Sequence, residues 1–295
     1  MRFPTCGLVL FALVSSLSLA ADESWISLWN GRDLGEWTTW MRKPERTSNV
    51  PGAVRLEDGS YRDPLGDNHD PLQVFSVVQV DGAGAIRISG EVFGELRTRR
   101  SFENYHLTLQ FKWGEKKWPP RDQPETPRDS GLLYHVHAAP GAEGRVWARS
   151  IELQIQEHDV GDLYAVGSMI YVRSRLQPGS GKAGTRPIYH YDPNGSWVDF
   201  AQIPGMEGRC VKSPDNERPR GEWNTVELYC LGHDAIHVVN GKVVMRLHGP
   251  RRIDTATPQP VTSGPLILQS EGAEIFYRNL RLRPITALPD GLGTQ

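Results

Sequence analysis

The stretch "AIHVVNGKVVMRL", residues 235–247, indicates the class of fold. Two apolar runs of strand-forming residues flank Asn240 and Gly241. A two-residue type I′ turn needs positive φ at both central positions, and Asn-Gly is the pair that adopts it most readily. The stretch therefore predicts a β-hairpin, whose two strands are neighbours and antiparallel.

The same strand periodicity recurs along the chain, where apolar and polar residues alternate between turn residues. The 30 glycines and 22 prolines fit many short strands joined by turns. We therefore predict an all-β, antiparallel β-sandwich of the jelly-roll type, in which one sheet face is open to ligand. The predicted strands outside the hairpin are residues 85–89, 105–113, 131–138, 150–156, 223–231, 264–270 and 274–284.

Two polar segments separate the predicted strands. Residues 115–130 are charged and rich in proline, which favours a functional or mobile loop. Residues 173–221 are rich in glycine and proline, and we interpret them as insertions over the sandwich and not as a linker. The predicted organisation is one domain, residues 21–286, with long surface loops and a C-terminal tail, residues 287–295.

The N-terminus "MRFPTCGLVLFALVSSLSLAAD" has a basic start, an apolar stretch and small residues before Asp22. This pattern predicts a signal peptide, residues 1–20. The alternative is a membrane anchor, but the apolar stretch is shorter than the roughly 20 residues of a span. We expect an exported protein, periplasmic or extracellular, without membrane contact after cleavage.

Composition excludes several other functions. A net charge of −2 gives no basic field for nucleic acid. The stretch "PGSGKAGT" (178–185) lacks two residues of a phosphate loop, since Leu176 replaces its first glycine and Ala183 its Ser/Thr, so we expect no nucleotide cofactor. After signal cleavage Cys210 and Cys230 remain, and the sequence leaves open whether they form a disulfide or two free thiols.

Side chains suited to binding or catalysis are concentrated in "RSIELQIQEHDVGD" (149–162). On a strand, Glu152, Gln154 and Gln156 share the face opposite three apolar residues, and neighbours on that face lie about 7 Å apart. Carboxylates and amides at this spacing suit sugar hydroxyls, and paired carboxylates suit acid and base catalysis. The alternative is a merely solvated face.

The turn after this strand adds Glu157, His158 and Asp159. Glu157 and Asp159 could bind a divalent metal ion of unspecified identity or supply a second carboxylate, and the alternative is a purely structural acidic turn. In "RDSGLLYHVHA" (128–138), His135 could carry a proton. An exposed histidine on a strand is otherwise a neutral packing residue.

Further side chains are candidates for holding a sugar. Asp129 precedes the strand that leads to His135 and could reach a ligand from the loop. Tryptophans stack on sugar rings, and basic side chains polarise carbonyl oxygens, although a single tryptophan more often packs in a core. The remaining predicted substrate contacts are Trp118, Trp147, Arg97, Lys116 and Arg149.

The sequence resembles the DUF1080 family, also called the 3-keto-disaccharide hydrolase domain. The resemblance rests on ordered pieces that cover nearly the whole mature chain. They are "WISLWNGRDLGEW" (25–37), "GELRTRRSFENYHLTLQFKW" (94–113), "RDSGLLYHV" (128–136), "RSIELQIQEHDVGDLYAVGS" (149–168), "GEWNTVEL" (221–228), "VVNGKVV" (238–244) and "SGPLILQSEGAEIFYRNLRLRPI" (263–285).

This resemblance implies a concanavalin A-like, laminin-G-like jelly roll that is exported and acts on glycosides oxidised at C3. A C3 ketone acidifies the C2 proton, so a base can remove it while the C1 substituent departs, and water then adds. The reaction needs a base, an acid and an electrophile, for which a metal would serve. Many relatives carry His at the position of Glu271.

Two functions remain open at this point. One is an enzyme in which Glu152 is acid or base, Gln154 supports it, Glu157 and Asp159 act as the second carboxylate or cation ligands, and His135 carries a proton. The other is a non-catalytic carbohydrate-binding module, which needs aromatic platforms but no clustered acid and base groups.

Overall fold

The computed structural model describes residues 24–182 and 185–292. Within these ranges the regular structure is β-strand, apart from one short 3₁₀ helix, Ala142–Gly144. The strands are β1 (Ile26–Ser27), β2 (Trp37–Met41), β3 (Gly66–Asp67), β4 (Phe75–Val80), β5 (Ala83–Ile88), β6 (Gly94–Thr98), β7 (Phe102–Glu103), β8 (Tyr105–Lys117), β9 (Asp129–Tyr134), β10 (Ile151–Gln156), β11 (Leu163–Tyr164), β12 (Ser168–Leu176), β13 (Tyr189–Tyr191), β14 (Ser196–Ala201), β15 (Arg209–Cys210), β16 (Asn224–Leu231), β17 (Asp234–Val239), β18 (Lys242–Arg252), β19 (Gln259–Pro260), β20 (Ser263–Gly264), β21 (Ile267–Ser270) and β22 (Ala273–Pro284).

Two large antiparallel sheets form the molecule. Sheet I has the strand order β13-β12-β18-β17-β16-β8-β22-β5-β4. In addition, β1 pairs with β22, β14 with β12, and β19 with β18. Sheet II has the order β15-β11-β10-β9-β21-β6-β2-β3, and β7 pairs with β20 separately. The prediction of an all-β, antiparallel sandwich is confirmed.

The core lies between the two sheets. Apolar residues at alternate positions point inward, as in Leu107 and Leu109 of β8 and Leu153 of β10, which are at most 1% exposed. Burial of each such side chain contributes about 1.5–3 kcal/mol. A buried hydrogen bond also joins the sheets, because the hydroxyls of Ser130 and Tyr277 lie 2.7 Å apart.

The predicted hairpin forms as expected. Asn240 and Gly241 connect β17 and β18 with φ of 48° and 79°, the left-handed pair that a type I′ turn requires. The Asn240 side chain stabilises this turn, because its Oδ1 accepts a hydrogen bond from the backbone of Thr225 at 2.8 Å.

Three predicted boundaries need correction. The strand predicted for 131–138 ends at Tyr134, and His135 has φ of 52°. The backbone of Gly264 crosses here so closely that a Cβ on it would lie 2.5 Å from the Val136 nitrogen, which leaves no room for a straight strand. In addition, β8 extends to Lys117 into the predicted loop, and the insertion 173–221 contains β13, β14 and β15.

Other predictions concern the chain ends and cysteines. The predicted signal peptide lies outside the described residues, among which no helix is long and apolar enough to cross a membrane. The described part of the predicted tail packs Leu288 and Leu292 against Ile236 and Val238 on sheet I. Cys210 and Cys230 are two buried free thiols.

Candidate active site

A polar cleft opens on the face of sheet II that points away from the core. It follows from the alternation on β10, since Ile151, Leu153 and Ile155 face the core and Glu152 and Gln154 face the opposite way. The cleft has a volume of about 470 Å³, within the range of small-molecule sites. Its lining residues are Arg121, Asp129, Arg145, Val146, Trp147, Glu152, Gln154, Gln156, Tyr164, Val166, Gln202, Gln269 and Glu271.

Three carboxyl groups lie together in this cleft, and two of them bind one guanidinium. Arg121, from the loop between β8 and β9, donates to Asp129 and to Glu271, the latter at 2.8 Å. Gln156 donates a further hydrogen bond to Asp129. Glu152 on β10 is 5% exposed and is the third carboxyl. The cluster therefore holds more potential negative charge than Arg121 neutralises.

Burial, together with this imbalance, raises the proton affinity of the carboxyls. Burial, followed by the charges of Glu271 and Asp129, raises the pKa of Glu152 well above its ordinary value. Burial and the charge of Glu271 raise the pKa of Asp129 in the same direction, against the effect of Arg121. Burial also raises the pKa of Glu271. Carboxyls with raised pKa hold protons nearer neutral pH, as acid and base catalysts require.

A glycine makes room for two of these groups. A Cβ on Gly131 of β9 would lie 2.3 Å from Glu152 Oε1 and 2.3 Å from Gln269 Oε1, so any side chain would displace both. Gln269 is buried on β21, and its side-chain hydrogen bond with Glu152 favours the ionised carboxylate. Gly131 thus leaves the space above β9 that the side chains of Gln269 and Glu152 occupy.

Tyr164 is the neighbour of Glu152 on the next strand. The two residues are directly paired between β10 and β11, so their side chains share the cleft face. Burial is the main cause that raises the pKa of Tyr164 to about 12, and the phenol therefore keeps its proton at physiological pH. The guanidinium of Arg209 lies 5.6 Å from the ring.

Several cleft residues carry buried polar atoms that have no hydrogen-bond partner within the described part of the chain. These atoms are Arg121 Nε, Asp129 Oδ1, Gln269 Oε1 and Trp147 Nε1. Buried polar groups are nearly always paired in folded proteins, with protein, water or ligand. Their concentration here fits a site that receives a ligand with many hydroxyl groups.

The structure brings some of the predicted site residues together and separates others. Glu152, Gln154, Asp129 and Trp147 all line the cleft. The predicted residues that lie outside its lining are His135, Glu157, Asp159, Arg97, Arg149, Lys116 and Trp118.

His135 is buried beyond the end of β9 and is 1% exposed. Burial, followed by the charge of His137, lowers its pKa to about 3, so the ring is neutral at physiological pH. Its two ring nitrogens have no hydrogen-bond partner among residues 24–182 and 185–292. The expected position inside the strand is therefore wrong, because β9 ends at Tyr134 and the chain bends at His135.

The acidic turn after β10 is built from ion pairs. Glu157 accepts hydrogen bonds from Arg128, through the backbone at 2.9 Å and Nη1 at 3.1 Å, and Asp159 pairs with Arg209 at 2.9 Å. The described residues include no group of three or more His, Cys, Asp or Glu placed to hold a metal ion. Glu157 and Asp159 already pair with guanidinium groups, Asp159 sharing Arg209 with Asp162, and they do not fit a metal site.

The other predicted contacts have structural partners. Arg97 donates to the carbonyl of Ala138 at 3.0 Å, and Arg149 donates to that of Gly167 at 2.9 Å. The indole of Trp118 donates to Ser89 at 3.0 Å, and Lys116 is exposed on β8 of sheet I.

Sequence reasoning missed Arg121, Tyr164 and Gln269 and assigned no role to Glu271. A signal existed for Gln269, because the alternation in β21 places it on the face opposite Leu268. Arg121 comes from the loop that the sequence marked as functional or mobile. Its meeting with Glu271, 150 residues away, depends on strand order and has no local signal.

The family comparison gives a clear assignment. The model of the 3-keto-alpha-glucoside-1,2-lyase-like domain matches residues 24–283, and the chain belongs to this carbohydrate-active family. No curated protein matches the sequence significantly.

Solved structures with similar folds come from several bacteria. A presumed glycosyl hydrolase from Parabacteroides distasonis is 17% identical with a TM-score of 0.45, over 89% of this chain and 94% of that one. The carbohydrate-binding module CBM66 from Bacillus subtilis is 8% identical with a TM-score of 0.38, over 71% and 91%. LamAcat from Zobellia galactanivorans is 10% identical with a TM-score of 0.37, over 83% and 90%. The family assignment rests on the family match and not on these similarities.

Proposed function

We propose that this member of the family cleaves 3-keto-glycosides in the sheet II cleft. The reaction removes the C2 proton, breaks the C1–oxygen bond and forms a C1=C2 double bond. Water then adds its oxygen to C1 and a proton to C2, which yields the free 3-keto sugar. The observation that carries this proposal is the cluster of three carboxyls with raised pKa around Arg121.

Glu152 is the proposed base. A carbon acid needs a base of high proton affinity, and a carboxylate with a raised pKa is stronger than an exposed one. Gln269 favours its ionised form through the hydrogen bond between their side chains. Once protonated, Glu152 exchanges its proton with water after the leaving group departs and then donates a solvent-derived proton to C2 during hydration.

Arg121 is the proposed electrostatic partner of the enolate. Negative charge develops on the C3 oxygen when the C2 proton leaves, and a fixed guanidinium in a buried site stabilises such charge. Arg121 Nε has no hydrogen-bond partner in the described ranges and is free for a substrate oxygen. Asp129 and Glu271 hold the guanidinium in place.

Tyr164 is the proposed acid for the leaving oxygen. It lies beside Glu152 on the paired strand and keeps its proton because of its raised pKa. A phenol in this position can protonate the departing C1 oxygen and later take a proton from the attacking water.

The second candidate is a carbohydrate-binding module, which the polar cleft and Trp147 would also suit. The indole of Trp147 stacks on Phe93, with ring centres 5.9 Å apart, and is half-buried at the cleft. A binding module has no need for buried carboxyls that lack their own cations, and we therefore favour the enzyme.

The experiment compares a 3-keto-α-glucoside disaccharide with its unoxidised parent, each incubated with the pure protein, and follows release of free sugar by NMR. We expect release from the 3-keto substrate alone. Equal release from the parent would contradict the ketone-dependent step. Tight binding of the parent without release from either compound would support the binding module.

A further inference from the structure

A second depression lies on the outer face of sheet I, on the side of the sandwich opposite the cleft. It has a volume of about 750 Å³. A smaller depression of about 390 Å³ adjoins it and shares Tyr191, Pro193 and Ser213. Together they form one extended groove, which we call the sheet I groove. Its other lining residues include Arg173, Trp197, Asp234, Arg246 and His248.

We propose that the sheet I groove binds an uncharged oligosaccharide chain, separately from the cleft. Trp197 on β14 carries the argument, because its side chain is 50% exposed, which is unusual for so large an apolar surface. The guanidinium of Arg173, directly opposite on β12, lies 4.7 Å from the indole centre and fixes the ring. An indole held in this way offers the apolar face of a sugar ring a rigid platform.

Hydrogen-bonding groups surround this platform. The ring of His248 lies 6.0 Å from that of Trp197, and its Nδ1 pairs with Asp234 at 2.7 Å. Farther along the groove, His190 Nε2 lies 3.0 Å from Gln177 Oε1. Sugars combine apolar ring faces with hydroxyl edges, and the groove alternates apolar and polar groups along its length.

The charged side chains of the groove already have ion-pair, hydrogen-bond or ring partners within the protein, which favours an uncharged ligand. Asp234 pairs with His248, and Arg175 pairs with Asp192 at 2.8 Å. Arg246 donates to the backbone carbonyls of residues 291 and 292. Arg173 stacks on Trp197 and donates to the Gly195 carbonyl at 3.2 Å. An anionic glycan would need free cations here.

This inference does not depend on the 3-keto chemistry of the cleft. The core of a protein interface is depleted of charged residues, whereas charged side chains, among them Arg173, Asp234 and Arg246, line the groove around Trp197. The groove would hold the enzyme on a polymeric glycan while the cleft acts on small sugars.

The test measures binding of cellohexaose, maltohexaose and laminarihexaose by isothermal titration calorimetry. We expect the wild-type chain to bind at least one of them and Trp197→Ala to bind it about tenfold or more weakly, as for a buried aromatic anchor. Trp197→Phe keeps an aromatic platform and should remain within a few-fold. Trp223→Ala is the matched control, because Trp223 directly precedes β16 of sheet I, lies outside the groove lining and stacks with Arg278 at 3.8 Å.

The two sites are distinguished by crossed variants. Glu152→Gln should keep hexasaccharide binding, and Trp197→Ala should keep turnover of the 3-keto-disaccharide. The inference is overturned if the wild type binds none of the three probes or if Trp197→Ala binds them as the wild type does. It is also overturned if sedimentation shows a dimer that Trp197→Ala abolishes, since the groove would then bind a second copy.

Discussion

The cleft and the turn after β10 contain similar residues but differ in how their charges are balanced. In the cleft, Asp129 and Glu271 share Arg121, Glu152 lies beside them without a paired cation, and the pKa of each carboxyl is raised. In the turn, Glu157 pairs with Arg128, and Asp159 and Asp162 share Arg209 next to Lys212, so three carboxyls face three cations. The difference teaches that burial together with the ratio of carboxyls to cations, and not the number of acidic residues, separates proton chemistry from structural support.

Replacement of one carboxyl by its amide in each region should give the largest difference in turnover between the two regions. Glu152→Gln removes the proposed base and should lower turnover of a 3-keto-disaccharide by about 10²–10⁴-fold, the usual contribution of a general base. Asp159→Asn, the matched control in the turn, should stay within a few-fold. Loss of turnover in folded Asp159→Asn, with normal turnover in Glu152→Gln, would reverse the comparison.

A substitution in the turn should instead change the free energy of unfolding. Asp162 is fully buried and accepts hydrogen bonds from Arg209 Nε at 2.8 Å and from the Lys212 backbone at 2.9 Å. Asp162→Asn leaves Arg209 without its closest carboxylate and should lower the free energy of unfolding by about 2 kcal/mol, as for a lost charged hydrogen bond. Urea unfolding measures this change, and an unchanged midpoint would show that the pairing adds nothing.

A substitution at Glu95 tests whether sheet II contains another buried carboxyl that lacks a close cation. It is fully buried opposite Gln269, with Arg97 only at 3.5 Å, and burial is the main cause that raises its pKa from 4.5 to about 7. The folded state therefore binds this proton more tightly than the unfolded chain does. The stability that Glu95 contributes is present below pH 4.5 and is lost as the pH rises through about 7.

Glu95→Gln removes this dependence. Relative to the wild type, the variant should gain on the order of 3 kcal/mol in unfolding free energy between pH 4.5 and neutral pH. Thermal unfolding at a series of pH values measures the difference. A constant difference across the series would mean that the pKa of Glu95 is the same in the folded and the unfolded protein, and would contradict the raised value.

Much of the fold was predictable from local patterns. Period-2 alternation placed most of the strands, and Asn240-Gly241 identified the hairpin. The failure at His135 has a tertiary cause, because the backbone of Gly264 approaches Val136 and forces the chain to bend. Such an approach between distant segments leaves no periodic trace in the sequence.

The candidate site was predictable only on one strand. Glu152 and Gln154 follow from alternation within β10, and both line the cleft. The local signal could not separate Glu152 from Glu157, since the arginine partners come from other parts of the chain. Arg121 reaches Glu271 across the sheet because of strand order, which single-sequence periodicity does not encode.

The central claim is that the cleft breaks the glycosidic bond by first removing the C2 proton. Cleavage of a 3-keto-disaccharide in D₂O, followed by NMR of the released 3-keto sugar, tests this step, with Glu152→Gln and a protein-free sample as controls for spontaneous exchange. Elimination and hydration predict deuterium at C2 of the sugar released by the wild type. Release of sugar that retains its original hydrogen at C2 would contradict the claim and indicate direct hydrolysis at C1.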